Sequence, residues 1–162
     1  MASDIFAKIG DIKGESTDDK HKDEIDVLSY SWGVTQTGTR AFGGGAGAGK
    51  AQFSDFNFTT NVSKASPVLF LSCATGEHIK EATITVRKAG KGQQEYLILK
   101  MSDVLISSYQ TGGNSGSEVA QPTESVSMAF AKVEFTYKPQ NADGTLDAGI
   151  TTGWELKANK KV

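Results

Sequence analysis

Apolar residues in this chain recur mainly at every second position. Over residues 26–34, Leu28, Tyr30, Trp32 and Val34 fall on one side of an extended backbone, and Val27, Ser29, Ser31 and Gly33 on the other. Strand side chains alternate between faces, so bulk on one side and small residues on the other predict a half-buried strand with the bulky side in a core. Residues 54–60 repeat the theme with Phe56 and Phe58. Residues 82–88 set Ala82, Ile84 and Val86 against Thr83, Thr85 and Arg87. Two longer strand-like runs cover 94–109 and 123–138. In the second, Met128 and Phe130 share one face, whereas Val133, Phe135 and Tyr137 continue on the other. That slip predicts a bulge or a sharp bend of the kind a curved sheet needs. Trp154 and Leu156 mark a short final strand.

One stretch departs from this period. Residues 66–76 open with Ser66 and Pro67 and close at Gly76. Serine caps helix starts, proline suits the first turn and glycine suits the residue after the end, so a single short helix is predicted. Its run of Val68, Leu69, Phe70 and Leu71 is too crowded for a solvated face and predicts packing against a sheet or an open barrel end. Residues 14–24 are charged and of mixed sign, as in a solvated connection. Residues 111–117 form a turn-rich link between the two longest strands. Residues 38–50 are unusual, with Gly43, Gly44, Gly45, Gly47 and Gly49 inside seven positions. No internal repeat or second domain is visible, and 162 residues suit one domain spanning 1–162.

Composition narrows the function classes. Lys and Arg number 17 against 19 Asp and Glu, a net charge of -2. So even a balance supplies no long-range field for phosphate backbones or anionic lipid, which argues against nucleic acid as a partner. A single cysteine, Cys73, forbids an intramolecular disulfide. Residues 1–8 lack the basic and then apolar order of a secretory signal, and no apolar run approaches the ~20 residues of a spanning helix. The expectation is synthesis in the cytoplasm, with no membrane insertion.

Candidate chemistry fails on inspection. Gly44-Gly45-Ala46-Gly47-Ala48-Gly49-Lys50 meets the first seven positions of the phosphate-binding P-loop, but Ala51 has no hydroxyl for magnesium. The residues that follow read as strand, whereas the mechanism needs a helix N-terminus facing the phosphates. His21 and His78 are the only histidines, with no metal-ligand spacing between them. Cys73 inside an apolar helix suits a small core residue better than a nucleophile. Residues 141–147 have a calcium-loop flavour but lack the sixth-position glycine and the closing glutamate, so a plain turn is expected. Asp18-Asp19 and Asp23-Glu24 lie in polar loops. No catalytic, metal or cofactor site is predicted. The remaining reading from the residues alone is a monomeric β-sandwich that binds a small ligand or carbohydrate.

Several segments together carry a family resemblance. Residues 6–16 (FAKIGDIKGES), 24–33 (EIDVLSYSWG), the glycine-rich stretch, the short helix, 83–90 (TITVRKAG) followed by Glu95-Tyr96-Leu97, 135–144 (FTYKPQNADG) and Gly153-Trp154 stand in the order and spacing of Hcp (haemolysin-coregulated) proteins. The chain resembles that family over nearly its whole length, apart from 18–21 and 111–122. The resemblance implies a mainly β, two-sheet β-barrel with one short α-helix, assembling as a hexameric ring. It implies a structural tube subunit of the type VI secretion system, not an enzyme, whose rings stack into a hollow phage-tail-like tube. Implied partners are further copies of itself, effector proteins in the lumen, a spike protein and a contractile sheath. It further implies export through that machinery without a signal peptide. The chain ends soon after Trp154, so no toxin extension is expected.

Combining the resemblance with the alternation assigns two sites. Ser29 and Ser31, opposite the bulky face, are expected to line the lumen and meet effectors. Gly43, Gly44, Gly45, Gly47 and Gly49 are expected to form a ring-stacking loop. A segment so rich in glycine is costly to order and needs a partner to fix it.

Overall fold

The computed structural model describes residues 3–36, 50–89, 92–116 and 121–162. Along them run β1 (Ser3–Ile9), β2 (Ile25–Asp26), β3 (Ser29–Ser31), β4 (Val34–Gln36), β5 (Ala51–Phe53), β6 (Phe56–Asn61) and α1 (Ser66–Thr75). There follow β7 (His78–Lys88), β8 (Glu95–Gly112), β9 (Thr123–Tyr137), β10 (Ile150–Glu155) and β11 (Lys160–Lys161). The mainly β, one-helix expectation holds. The five glycines expected to form a stacking loop lie outside the described residues.

The long β8–β9 hairpin is shared by two sheets. The first half of β9 pairs with β6, which pairs with β3; its second half pairs with β10 on the same side. On the far side, β8 pairs with β7 from Glu95 to Leu105, and β7 pairs with β1. Residues 25–31 then join the two layers. Val27 N–H donates to the Ile5 carbonyl on β1 (2.9 Å), and the next N–H, of Leu28, donates to Thr59 on β6 (2.8 Å). The circuit β1–β6–β9–β8–β7 encloses Phe56, Phe58, Ile84, Leu99, Met101 and Met128, all essentially inaccessible. Side chains fill the interior.

The slip foreseen in β9 belongs to three strands at once. Ile79 and Ala82 on β7, Met101 and Val104 on β8, and Phe130 and Val133 on β9 are all buried, though each pair is three residues apart. Pairing aligns Ile79 with Val104 and Phe130, and Ala82 with Met101 and Val133. A line through Asp103, at φ +53°, therefore divides the sheet. Short polar residues tolerate this left-handed backbone. Register is unchanged across the line, so the irregularity is a shared bend that swaps the buried face. Inserted-residue shifts occur elsewhere, at Val86/Arg87 and Ile106/Ser108.

Three expectations need correction. Residues 26–34 are not one strand with four bulky residues inside. The crossing from β1 to β6 breaks the alternation, burying Val27 and leaving Leu28 55% and Val34 53% exposed. Tyr30 and Trp32 do turn inward, Tyr30 stacking on Phe56 with ring centroids 5.6 Å apart.

Second, residues 14–24 are not a solvated connection. They fold over the outer side of β7, where Thr85 and Arg87 are buried, tied by Gly14 N–H to Asp23 O (2.7 Å) and Ser16 N–H to Glu24 O (3.0 Å). This segment is thus a structured cover. A Cβ on Gly14 would lie 2.5 Å from the Glu24 carbonyl oxygen, so the backbones approach as closely as only glycine allows.

Third, Ser66 does not cap α1. Ala65 holds that position, and the buried Ser66 hydroxyl accepts from Ser63 N–H (2.9 Å). Gly76 ends the helix in the left-handed conformation, as expected. The helix buries Ser66, Leu69 and Ser72, which are three apart, while Val68, Phe70 and Leu71 face outward. As expected, the helix packs against the sheet, with Leu69 and Cys73 at the core and Phe70 beside Tyr109 of β8, although Val68, Phe70 and Leu71 remain largely exposed.

Candidate functional site

Where β6 pairs with β9, alternation sends Phe56, Phe58, Thr60, Glu124, Val126 and Met128 inward. The residues between them must face the other way. Register then sets them in two rows across four strands. One runs Ser31–Asn57–Ser127–Ser108, the other Ser29–Thr59–Ser125–Gln110. Every side chain in both rows is polar and uncharged.

Their hydrogen bonds are largely mutual. The Ser29 and Thr59 hydroxyls are 2.6 Å apart. Asn57 Nδ2 donates to Ser125 Oγ (3.1 Å) and Ser127 Oγ (2.9 Å). Neither row holds a titratable group, so no base is present within them to activate a serine, and nucleophilic chemistry has no support there. Such a face is wettable and carries no fixed charge or large apolar patch. Ser29 and Ser31, singled out from the sequence, are exposed and occupy the ends of the two rows. Four of their companions, Asn57, Thr59, Ser125 and Ser127, follow from the same period-two pattern in β6 and β9 that buries Phe56, Phe58, Val126 and Met128, while Ser108 and Gln110 lie on β8 and join the rows through its pairing with β9.

The strongest electrostatic feature lies elsewhere, on the outer side of β7. The Arg87 guanidinium, 2% exposed, is paired with Asp18 and lies 3.4 Å from the Asp4 carboxylate. Its carbon sits 4.8 Å above the Phe6 ring. Phe6 stacks on His21 at 4.4 Å, and the His21 ring nitrogens lie 2.5 Å from Glu24 and 2.8 Å from Glu95. Hydrogen bonding from Arg87 holds the Asp18 carboxyl at about 2, against an ordinary 3.8, despite an opposing effect of burial. Burial, reinforced by Asp4 and Asp18, pushes Asp26 upward. These groups clamp the cover segment to the barrel, and His21 and Glu24 also line an open cleft bordered by Lys8, Lys13, Lys20 and Lys64.

The other residues weighed from sequence are dispersed. His78 is exposed and 3.2 Å from Asp103. Cys73 is half-buried in α1. Asp143 accepts from Thr145 N–H (3.0 Å) and its hydroxyl (2.6 Å) in a self-contained turn. Among the described residues, no three His, Cys, Asp or Glu side chains converge as metal ligands.

Known proteins match both the fold and the sequence. Residues 6–137 fit the family described as "Type VI secretion system effector, Hcp". Protein hcp1 of Pseudomonas aeruginosa is 47% identical over 161 residues, covering 98% of each chain. The solved structure of a type six secretion system protein superposes with a TM-score of 0.93 at 31% identity, covering 99% of this chain and all of the other. Hcp1 from Salmonella typhimurium gives a TM-score of 0.82 at 38% identity over the full length of both chains. Hexameric rings are the known assembly of such proteins. With a double-rowed polar face on a bent β-barrel and full-length likeness in sequence and fold, the chain belongs to the Hcp family and is a structural tube subunit of the type VI secretion system.

Proposed function

We propose that six copies of this chain close into a ring with the face bearing Ser29 and Ser31 turned to the channel, and that rings stack into a hollow tube carrying effector proteins. The observation that carries this reading is the pair of aligned, uncharged rows across β3, β6, β9 and β8. Six copies would surround the channel with repeated hydroxyls, each contributing a weak contact that a cargo protein can make and leave. The tube engages a spike protein at its tip and a contractile sheath around it, and is made in the cytoplasm and exported by the same machinery without a signal peptide. Nucleic acid and membrane insertion play no part.

Ser31→Gln projects a longer side chain into the channel and should weaken retention of lumen-bound effector by about tenfold, equivalent to about 1.4 kcal/mol, while rings still form. Co-purification of effector with rings measures this, and unchanged retention would defeat the assignment of Ser31 to the channel.

The glycine-rich segment containing Gly43, Gly44, Gly45, Gly47 and Gly49 serves contact between rings. Deleting residues 43–47 should leave single rings in sedimentation but abolish long tubes in negative-stain images. Loss of the rings themselves would assign the segment to ring closure instead.

A further inference from the structure

The clamp that holds residues 14–24 on β7 also builds a wall. Between that cover, the end of β1, the start of β7 and the side of α1 lies an open cleft of about 1040 Å³. Pockets built for small molecules reach about 1,000 Å³ at most, so this one has room for a stretch of polypeptide. Exposed lysines line it from every side: Lys8 on β1, Lys13 and Lys20 around the cover, Lys64 before α1 and Lys80 on β7. The chain as a whole carries 17 basic against 19 acidic residues, so this recess is a local excess of positive charge.

Some carboxylates share the cleft, but two of them are already taken. Glu24 lies 2.5 Å from His21, and Glu81 lies 3.4 Å from Lys100. Asp11 and Glu77 remain, against Lys8, Lys13, Lys20 and Lys80, none of which forms an ion pair with a described carboxylate. Apolar groups sit among these charges, namely Val68 of α1, 46% exposed, and the half-buried Ile12.

This mixture selects the occupant. A continuous phosphate chain would meet Asp11 and Glu77 as well as the lysines. A peptide can space its carboxylates to the lysines and set an apolar side chain on Val68 and Ile12. Placement then selects the source. Lys8 and Thr83 lie opposite one another on the outer side of the β1–β7 layer, because Ala7, Ile9, Ala82 and Ile84 fill the core side. The polar rows lie on the outer side of the opposite layer. With those rows turned to the channel, the cleft opens away from it, out of reach of cargo inside.

Resting on that orientation, we propose that the cleft takes an acidic, partly apolar peptide segment of a protein lying outside the tube, its carboxylates paired with Lys8, Lys13, Lys20 and Lys80. Exposed ion pairs are individually weak and screened by salt, so several must act together.

Fluorescence anisotropy of a labelled glutamate-rich peptide carrying one leucine, titrated with rings, tests this. Binding should saturate at low ionic strength and fade as salt rises. The double variant Lys13→Glu/Lys20→Glu should weaken it about tenfold. Lys8→Glu/Lys80→Glu, which alters the strands and not the cover, should reproduce that loss, so a folding fault in one pair does not decide the outcome. Lys160→Glu, an exposed charge reversal on β11, should bind as wild type does. No saturable binding to the wild type, an equal loss in Lys160→Glu, or displacement by single-stranded DNA as readily as by unlabelled peptide would overturn the cleft as a peptide site. Sedimentation of the same samples separates this from the ring reading. A monomeric chain that binds the peptide through these lysines would keep the cleft and sink the ring; rings that bind no peptide would do the reverse.

Discussion

Arg87→Met should lower folding stability by about 3 kcal/mol at neutral pH. Removing one partner of a buried ion pair costs about 3–5 kcal/mol, because the other charge stays behind. The low end applies here, since the Asp18 and Asp4 side chains, 16% and 45% exposed, can take up water once the guanidinium is gone. Methionine retains most of the volume above Phe6, so the loss reports charge and hydrogen bonding more than a cavity. The effect carries a pH signature. Asp18 is held at about 2 in the folded chain against 3.8 ordinarily, so its contribution is fully present above about 4 and disappears as the pH falls toward 2. The stability gap between wild type and Arg87→Met should therefore narrow over that window. Urea denaturation at pH 7 and at pH 2.5 measures both. Equal stability at pH 7 would show that residues 14–24 are not clamped to β7 in the manner described.

Phe58→Ala should be more damaging, costing about 4 kcal/mol and about 12 °C in melting temperature. The ring is wholly inaccessible beside Phe56 and Val126, so truncation leaves a cavity that the barrel can only partly close. The consequence reaches the polar face. Phe58 lies between Asn57 and Thr59, which hold the middle of the two polar rows, and it pairs with Tyr30 on β3 and Val126 on β9. A slackened β6 loosens both rows and the β3 edge together. Thermal denaturation followed by circular dichroism measures the first effect, and sedimentation the second. A loss below about 1 kcal/mol would mean that the core does not fix the polar face.

Much of this architecture was legible before any coordinates. Period-two alternation placed β6, β7, β8, β9 and β10 and gave Ser29 and Ser31 their exposed side, because one face of each strand is buried. It failed where a local rule met a tertiary demand. At 27–28 the chain crosses between layers, so Val27 goes in and Leu28 comes out. Alternation also says nothing of the burial of Thr85 and Arg87, because their cover arrives from residues 14–24, sixty or more positions away. In α1 the crowded apolar run is plain, but the sequence does not tell which side the helix offers its own barrel. Leu69 between Ser66 and Ser72 takes that side, which leaves Phe70 and Leu71 for something outside the chain. The slip in β9 was visible, whereas its continuation into β7 and β8 follows only from knowing which residues lie opposite one another.

Single-particle electron microscopy of the purified protein tests the arrangement most directly. The account predicts six-fold doughnuts whose inner wall is the sheet of β3, β6, β9 and β8, with Asn57 and Ser127 pointing into the hole. A particle that stays monomeric at high concentration, or a ring that turns those strands to its outer rim, would contradict it.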